Sequence, residues 1–184
     1  MIKYVSGNLV TSDCDVIIHG CNCFHTMGGG IAREISDTYP EAYEADKKTA
    51  YRDRRKLGTI SYCRTINKNF PEKPLYIINA YTQYDFGRRE GSVYVDYDAV
   101  RSSLEKVNDM FSPKVFGETF KIGLPKIGAG LAQGDWNILE KIVNEAFSGR
   151  TVYVYQLDTM RELNTKVNIK NSLSEYNNTL KEIL

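Results

Sequence analysis

Residues 17–35 read Ile17-Ile18-His19-Gly20-Cys21-Asn22-Cys23-Phe24-His25-Thr26-Met27-Gly28-Gly29-Gly30-Ile31-Ala32-Arg33-Glu34-Ile35. The stretch changes character twice. Val16 to Gly20 is an apolar, β-branched run, the pattern of a strand buried on both faces. A short polar segment with three consecutive glycines follows. Ile31, Ile35 and Tyr39 then recur at i, i+4 and i+8, the spacing of one helix face. Strand, glycine-rich loop and helix start together build an anion site from backbone. Glycines let the main chain approach a phosphate closely, and the free N–H groups of the first helical turn point at it. His19 and Asn22 fall at the strand exit, where such a ligand would lie.

A second unit of the same kind lies downstream. Thr119–Leu124 reads as a strand and is followed by Pro125-Lys126-Ile127-Gly128-Ala129-Gly130-Leu131-Ala132-Gln133-Gly134-Asp135-Trp136. From Trp136 to Phe147 a helical stripe carries Ile138, Leu139, Ile142, Val143 and Phe147. Residues 2–6, Thr59–Arg64, Leu75–Ala80 and Thr151–Tyr155 read as further strands. Pro40 opens a helix expected to run to Lys56. Its basic end (Lys47, Lys48, Arg52, Arg54, Arg55 and Lys56) reads as a solvated face. Asp96 has the character of an N-cap for a helix reaching Phe111. Tyr81 to Gly91 is a long aromatic and polar loop, of a length that is often functional.

Strands alternating with helices give the α/β class with a mostly parallel sheet. In such sheets the ligand lies at the carboxyl ends of the strands, and two backbone cradles at one sheet edge suit a diphosphate. One domain is expected over residues 1–157, with 158–184 a polar, partly helical C-terminal extension.

Several functions are excluded. A net charge of +1 makes the molecule no electrostatic trap for nucleic acid. No apolar run reaches the roughly 18 residues of a membrane span. Met1-Ile2-Lys3-Tyr4 leads straight into a strand, so no signal peptide is expected and the chain reads as cytoplasmic, with reduced thiols. Cys21-Asn22-Cys23 is too tight for a zinc knuckle and no second ligand pair follows, so no metal is expected. Cys21 and Cys23 read as space-filling, with a thiol activated by the helix start as the alternative. Gly128-x-Gly130-x-x-x-Gly134 comes too late for a dinucleotide fingerprint, and no acidic strand end follows it. There is no Gly-Lys-Ser/Thr, hence no P-loop.

Four segments carry a resemblance: Gly7-Asn8-Leu9, Val16 through Cys23, Met27-Gly28-Gly29-Gly30-Ile31-Ala32, and Pro125-Lys126-Ile127-Gly128-Ala129-Gly130-Leu131. In order and spacing, over residues 1–157, they resemble the macrodomains, the ADP-ribose-binding α/β/α modules. The resemblance implies three layers around a central mixed, mostly parallel six-stranded sheet. The His19-to-Ala32 run and the closing Val152-Tyr153-Val154-Tyr155-Gln156-Leu157 look most like the ADP-ribose 1″-phosphate phosphatase branch. The segment from Asn79 to Tyr97 looks like bacteriophage-encoded members, for which the host cytoplasm would be the location.

By this resemblance Asn8 and Leu9 would border the adenine. Gly28, Gly29, Gly30 and Ile31 would cradle one phosphate, and Gly128, Ala129, Gly130 and Leu131 the other. Asn22 would hydrogen-bond the distal ribose, and His19 matches the histidine proposed as catalytic in the phosphatase branch. A related group that removes ADP-ribose from glutamate side chains uses a lysine and an aspartate, which fall at Ala80 and Ala132. Neither alanine can do that chemistry. The expected partners are ADP-ribose and its derivatives, with no cofactor, no membrane and no nucleic acid, and the expected state is a monomer.

The implied reaction is in-line attack on a terminal phosphate, with charge relieved on the leaving oxygen. An imidazole can activate water or accept the phosphoryl group. Asp135 could orient His19 or supply a proton; its position equally suits the N-cap of the helix at Trp136. His25 reads as a solvated loop residue, with a substrate contact as the alternative. Two rival functions remain: a hydrolase releasing ADP-ribose from a modified macromolecule, and a non-catalytic ADP-ribose reader.

Overall fold

The computed structural model describes residues 1–87, 91–117 and 119–157. Six strands form one sheet: β1 (Ile2–Ser6), β2 (Val16–Cys21), β3 (Ile60–Ile66), β4 (Pro74–Tyr81), β5 (Ile122–Pro125) and β6 (Val152–Gln156). Their order is β1-β6-β5-β2-β4-β3, parallel throughout except for β3 against β4. The helices are α1 (Gly30–Thr38), α2 (Pro40–Lys47), α3 (Tyr97–Met110), α4 (Pro113–Phe116) and α5 (Trp136–Ala146).

Side chains along a strand alternate between faces, and β2 is apolar on both. Val16 and Ile18 pack with α3 and α5 residues such as Leu104, Val107, Leu139 and Val143. Ile17 packs the other way, with Ile35, Tyr39 and Ala42 of the α1–α2 side. The sheet therefore sits between two helical layers, as the α/β/α expectation requires. β2 lies between β4 and β5; from β2 the chain leaves to the α1–α2 face, and from its neighbour β5 it leaves to the face of α3 and α5. This is a topological switch point, and the crevice it opens lies at the carboxyl ends of the strands.

Three elements differ from the sequence reading. The helix opened by Pro40 stops at Lys47 instead of reaching Lys56. The Thr49 hydroxyl donates to the Asp46 carbonyl at 2.7 Å and so competes with the helical bond. Arg52 is left-handed (φ +57°), and Asp53 caps a short 3₁₀ turn, Arg54–Lys56. The basic run is thus not one solvated face: Lys56 turns inward and is 6% exposed. β5 begins at Ile122 instead of Thr119, and α4 occupies the connection before it, with Pro113 in its first turn. The predicted C-terminal extension, 158–184, lies outside the described residues. No helix among the described residues is long and apolar enough to cross a membrane.

Candidate functional site

Loop 1 (22–29) runs from β2 to α1, and loop 2 (126–135) from β5 to α5. They meet at one sheet edge: a Cβ on Gly29 would stand 3.1 Å from Leu131 Cδ1. Among the described residues, no hydrogen bond takes up the N–H groups of Gly28, Gly29, Gly130 or Leu131. The first-turn N–H groups of α1 also lack intrahelical acceptors, as at any helix start. The two glycine segments thus bring unshared backbone donors together.

Loop 1 is shaped by side chains. Asn22 is 7% exposed; its Oδ1 accepts from Phe24 N–H at 2.8 Å and its Nδ2 donates to Thr26 O at 2.9 Å. One Nδ2 hydrogen remains for a ligand. His25 is left-handed (φ +52°). The Phe24 ring packs edge-on against Tyr51, Tyr84 and Phe86. Neighbouring backbone holds the loop as well, through Cys23 N–H to Tyr84 O (3.0 Å) and Arg52 N–H to Cys23 O (2.9 Å).

Loop 2 folds on itself. Gly134 N–H donates to Gly128 O at 2.9 Å and Gln133 N–H to Gly130 O at 3.0 Å. The Ala132 carbonyl accepts from Tyr94 and Val95 N–H. Gly128 sits at φ +76°, and a Cβ there would fall 2.7 Å from Val95 Cγ2. Asp135 caps α5, its Oδ1 accepting from Asn137 N–H at 2.8 Å, while its own N–H donates to Tyr97 Oη at 2.9 Å. Asn8 likewise caps a 3₁₀ turn (Leu9–Thr11) beyond β1, accepting from Val10 N–H and donating to Glu34 of α1.

His19 lies beneath loop 1 on the α1–α2 face of the sheet and is fully buried. Its partner is Asn79, directly opposite on β4. Asn79 Nδ2 donates to Ala42 O (2.8 Å) and to Ser61 Oγ (3.0 Å), which fixes the carboxamide's orientation. Its Oδ1 therefore accepts from His19 Nε2 at 2.7 Å, so the imidazole carries its proton on Nε2. Nδ1 is left as an acceptor 3.7 Å from Cys21 Sγ. Burial pushes the His19 pKa down to about 4, against the opposing hydrogen bond to Asn79. At neutral pH His19 is an uncharged imidazole.

The chain of bonds continues. Ser61 Oγ lies 2.8 Å from Tyr81 Oη, Tyr81 donates to Asp46 Oδ1 at 2.8 Å, and Lys56 Nζ stands 3.4 Å from the same oxygen. Asp46 and Lys56 are a buried ion pair, 1% and 6% exposed. Sequence reasoning missed this hub entirely. Its members come from α2, β3, β4 and a basic run, and only the register of β2, β3 and β4 brings them together.

The structure gathers Asn22, Gly28–Ile31 and Gly128–Leu131 at one edge, with Asn8 and Leu9 beyond β1 against α1. No hydrogen bond or ion pair among the described residues joins His19 to Asp135. His25, read from sequence as solvated, turns inward, its side chain 14% exposed. Burial raises the thiol pKa of both Cys21 and Cys23, so the idea of a thiol activated by the helix start is corrected: desolvation wins. Beside loop 2, a concavity of about 380 Å³ is lined by Arg54, Leu57, Tyr84, Tyr94, Val95 and Tyr97, among others.

The fold and its paired glycine loops define an α/β module that presents backbone donors at the carboxyl edge of a parallel sheet. The chain belongs to the Macro domain family, whose model matches residues 18–143. It is 35% identical over 147 residues to an uncharacterized 17.5 kDa protein of Enterobacteria phage T4, covering 78% of this chain and 88% of that one. It is 29% identical over 181 residues to an ADP-ribose 1″-phosphate phosphatase of Debaryomyces hansenii, covering 86% and 100%. A Mycobacterium bovis DNA ADP-ribosyl glycohydrolase is 24% identical over 147 residues, covering 80% of this chain and 39% of that protein. Among solved structures, a Bacteroides thetaiotaomicron protein matches with a TM-score of 0.66 and 27% identity, over 85% of this chain and all of that one. Thermosipho africanus DarTG in complex with ADP-ribose shares the fold, with a TM-score of 0.64 at 15% identity over 84% of this chain and 41% of that one.

Proposed function

We propose that this protein binds ADP-ribose across loops 1 and 2 and hydrolyses ADP-ribose 1″-phosphate to ADP-ribose and phosphate. The observation that carries the reading is the meeting of two glycine segments with unshared N–H groups at one sheet edge. A diphosphate has acceptors on both sides, and two facing backbone cradles match it without side-chain charge. The match to a phosphatase, over 86% of this chain and all of that one, supports the reaction type. In this reading Gly28–Ile31 and Gly128–Leu131 each hold one phosphate, Asn8 and Leu9 border the base, and the spare Nδ2 hydrogen of Asn22 reaches the distal ribose.

For the chemistry, the proposal keeps His19 and Asp135 as the residues to test. His19 Nδ1 carries a free lone pair and can accept a proton from water. A direct role requires the packing over His19, in which Cys21 Sγ stands 3.7 Å from the ring, to open, since His19 has no exposed surface. The cap bonds of Asp135 use one carboxylate oxygen, Oδ1, and the second can serve the reaction.

The concavity beside loop 2 favours a second reading, release of ADP-ribose from a modified macromolecule, because it could receive what is attached to the distal ribose. The glycohydrolase relative supports it. Against it, Ala80 and Ala132 are buried and without titratable groups, so the lysine-and-aspartate chemistry of the glutamate-directed enzymes has no counterpart here.

The deciding experiment is phosphate release from ADP-ribose 1″-phosphate by wild type, His19→Ala and Asp135→Ala. Release by wild type alone supports the phosphatase with both groups in the chemistry. Release by all three keeps the activity and removes both from it. No release, with ADP-ribose still bound, overturns the phosphatase in favour of a reader or the second reading.

A further inference from the structure

The hub around Asp46 has a second arm, which points at loop 1. Thr49 Oγ1 donates to Asp46 O at 2.7 Å, so its lone pairs face outward as acceptors. His25 Nε2 stands 3.1 Å from that oxygen and 3.9 Å from Asp46 Oδ1. Thr49 Oγ1 is also 3.3 Å from Tyr81 Oη. The His25 ring lies against Tyr51, with centroids 5.4 Å apart. Loop 1 is therefore tied through one imidazole to an ion pair that cannot move without exposing charge.

The tie falls where it has most leverage. His25 holds a left-handed backbone (φ +52°), which a residue with a Cβ adopts only where its surroundings impose it. That turn faces the Thr26 carbonyl toward Asn22, whose Nδ2 donates to it. The direction of the remaining Nδ2 hydrogen of Asn22 follows from this bond, because a carboxamide is planar. Releasing His25 frees the turn, then Thr26 O, then Asn22. The glycine cradle for the phosphates lies after the turn, next to Met27, which packs separately against Cys21 and Tyr81.

We propose that His25 is the positioning residue of the distal-ribose subsite: its bond to Thr49 sets Asn22 and so the preference for ADP-ribose over ADP. The inference rests on the proposed binding mode and names what enforces its selectivity. His25 touches no ligand in this scheme. It acts through the loop backbone.

The test is calorimetric titration of ADP-ribose and of ADP into wild type, His25→Gly, His25→Gln and Thr49→Val. Glycine keeps the left-handed φ without the tie, glutamine keeps a donor of similar reach, and valine removes the acceptor while leaving His25 in place. ADP lacks the distal ribose, so a general structural defect weakens both ligands together. The expected result for His25→Gly is about a tenfold loss for ADP-ribose, roughly one hydrogen bond's worth, with ADP unchanged. Thr49→Val shows a smaller loss of the same selectivity, and His25→Gln restores it. Should His25→Gly fold poorly, Thr49→Val carries the same comparison. Variants that keep the wild-type ratio of the two affinities, or lose both equally, overturn the inference alone. Wild type that binds ADP-ribose no tighter than ADP overturns the binding mode and the inference with it.

Discussion

Loop 1 is held largely by side chains, whereas loop 2 is held by backbone bonds, its own and those of Tyr94 and Val95. Loop 1 hangs from Asn22, the Phe24 ring cluster and the His25 tie to a buried ion pair. Loop 2 closes through Gly134 N–H to Gly128 O and packs Gly128 and Gly134 on Val95, where a Cβ at Gly134 would stand 2.6 Å from Val95 Cγ1. Both loops present N–H donors at the same edge. A loop held by distant side chains can be retuned one residue at a time. A loop held by glycine packing is rigid and tolerates almost no change of shape.

That contrast breaks most sharply at the hub. Lys56→Met leaves the Asp46 carboxylate buried without its cation, and is expected to cost about 3–5 kcal/mol. Urea unfolding measures it. Asp46→Asn in the same background is expected to recover most of the loss, because the pair is then neutral. No recovery would mean that the loss does not come from the unpaired Asp46 charge.

A pH series probes the other arm of the same hub. The His19 pKa is about 4 in the fold and roughly 6.5 in the unfolded chain. Between these values the unfolded state binds more protons, so stability rises with pH. Stability is therefore full above pH ~6.5 and falls as pH drops toward 4, by about 3 kcal/mol over the window. His25 is shifted downward too, mainly by burial, and adds in the same sense. Unfolding midpoints of wild type and His19→Asn across this window isolate the His19 part. Parallel curves would show that His19 is protonated in the fold.

Loop 2 is broken by a single methyl group. Gly128→Ala meets both the left-handed φ and the Val95 contact, and is expected to cost about 2–3 kcal/mol. Adding Val95→Ala should return only the contact part, and thermal unfolding of the pair separates the two causes. Asp135→Ala removes the α5 cap for about 1 kcal/mol, read in the same assay. Gly29→Ala is the smallest: its φ is extended and its Cβ would meet only the tip of exposed Leu131. Less than ~0.5 kcal/mol is expected, as for an ordinary surface change. A larger loss would mean that the two loops are coupled more tightly than their separate anchors suggest.

The alternation of apolar strands, glycine segments and amphipathic helices was legible in the chain, and it determined the α/β class, the mostly parallel sheet and the two loops at one edge. Caps at Asp96 and Asp135 were legible too, because capping is a local bond between a side chain and the next turn. The end of α2 was not. Local pattern favours a continuous basic helix; what interrupts it is the Thr49 hydroxyl bonding the Asp46 carbonyl, and Lys56 beyond the break is drawn inward to the Asp46 carboxylate. The proton position on His19 depends on Asn79 and Ser61, which only strand register places beside it. The inward turn of His25 depends on Thr49 and Tyr51. Short-range patterning and the hydrophobic effect fix which segments pair. Desolvation decides the state of each polar group, and it is set by neighbours that the chain brings together only when it folds.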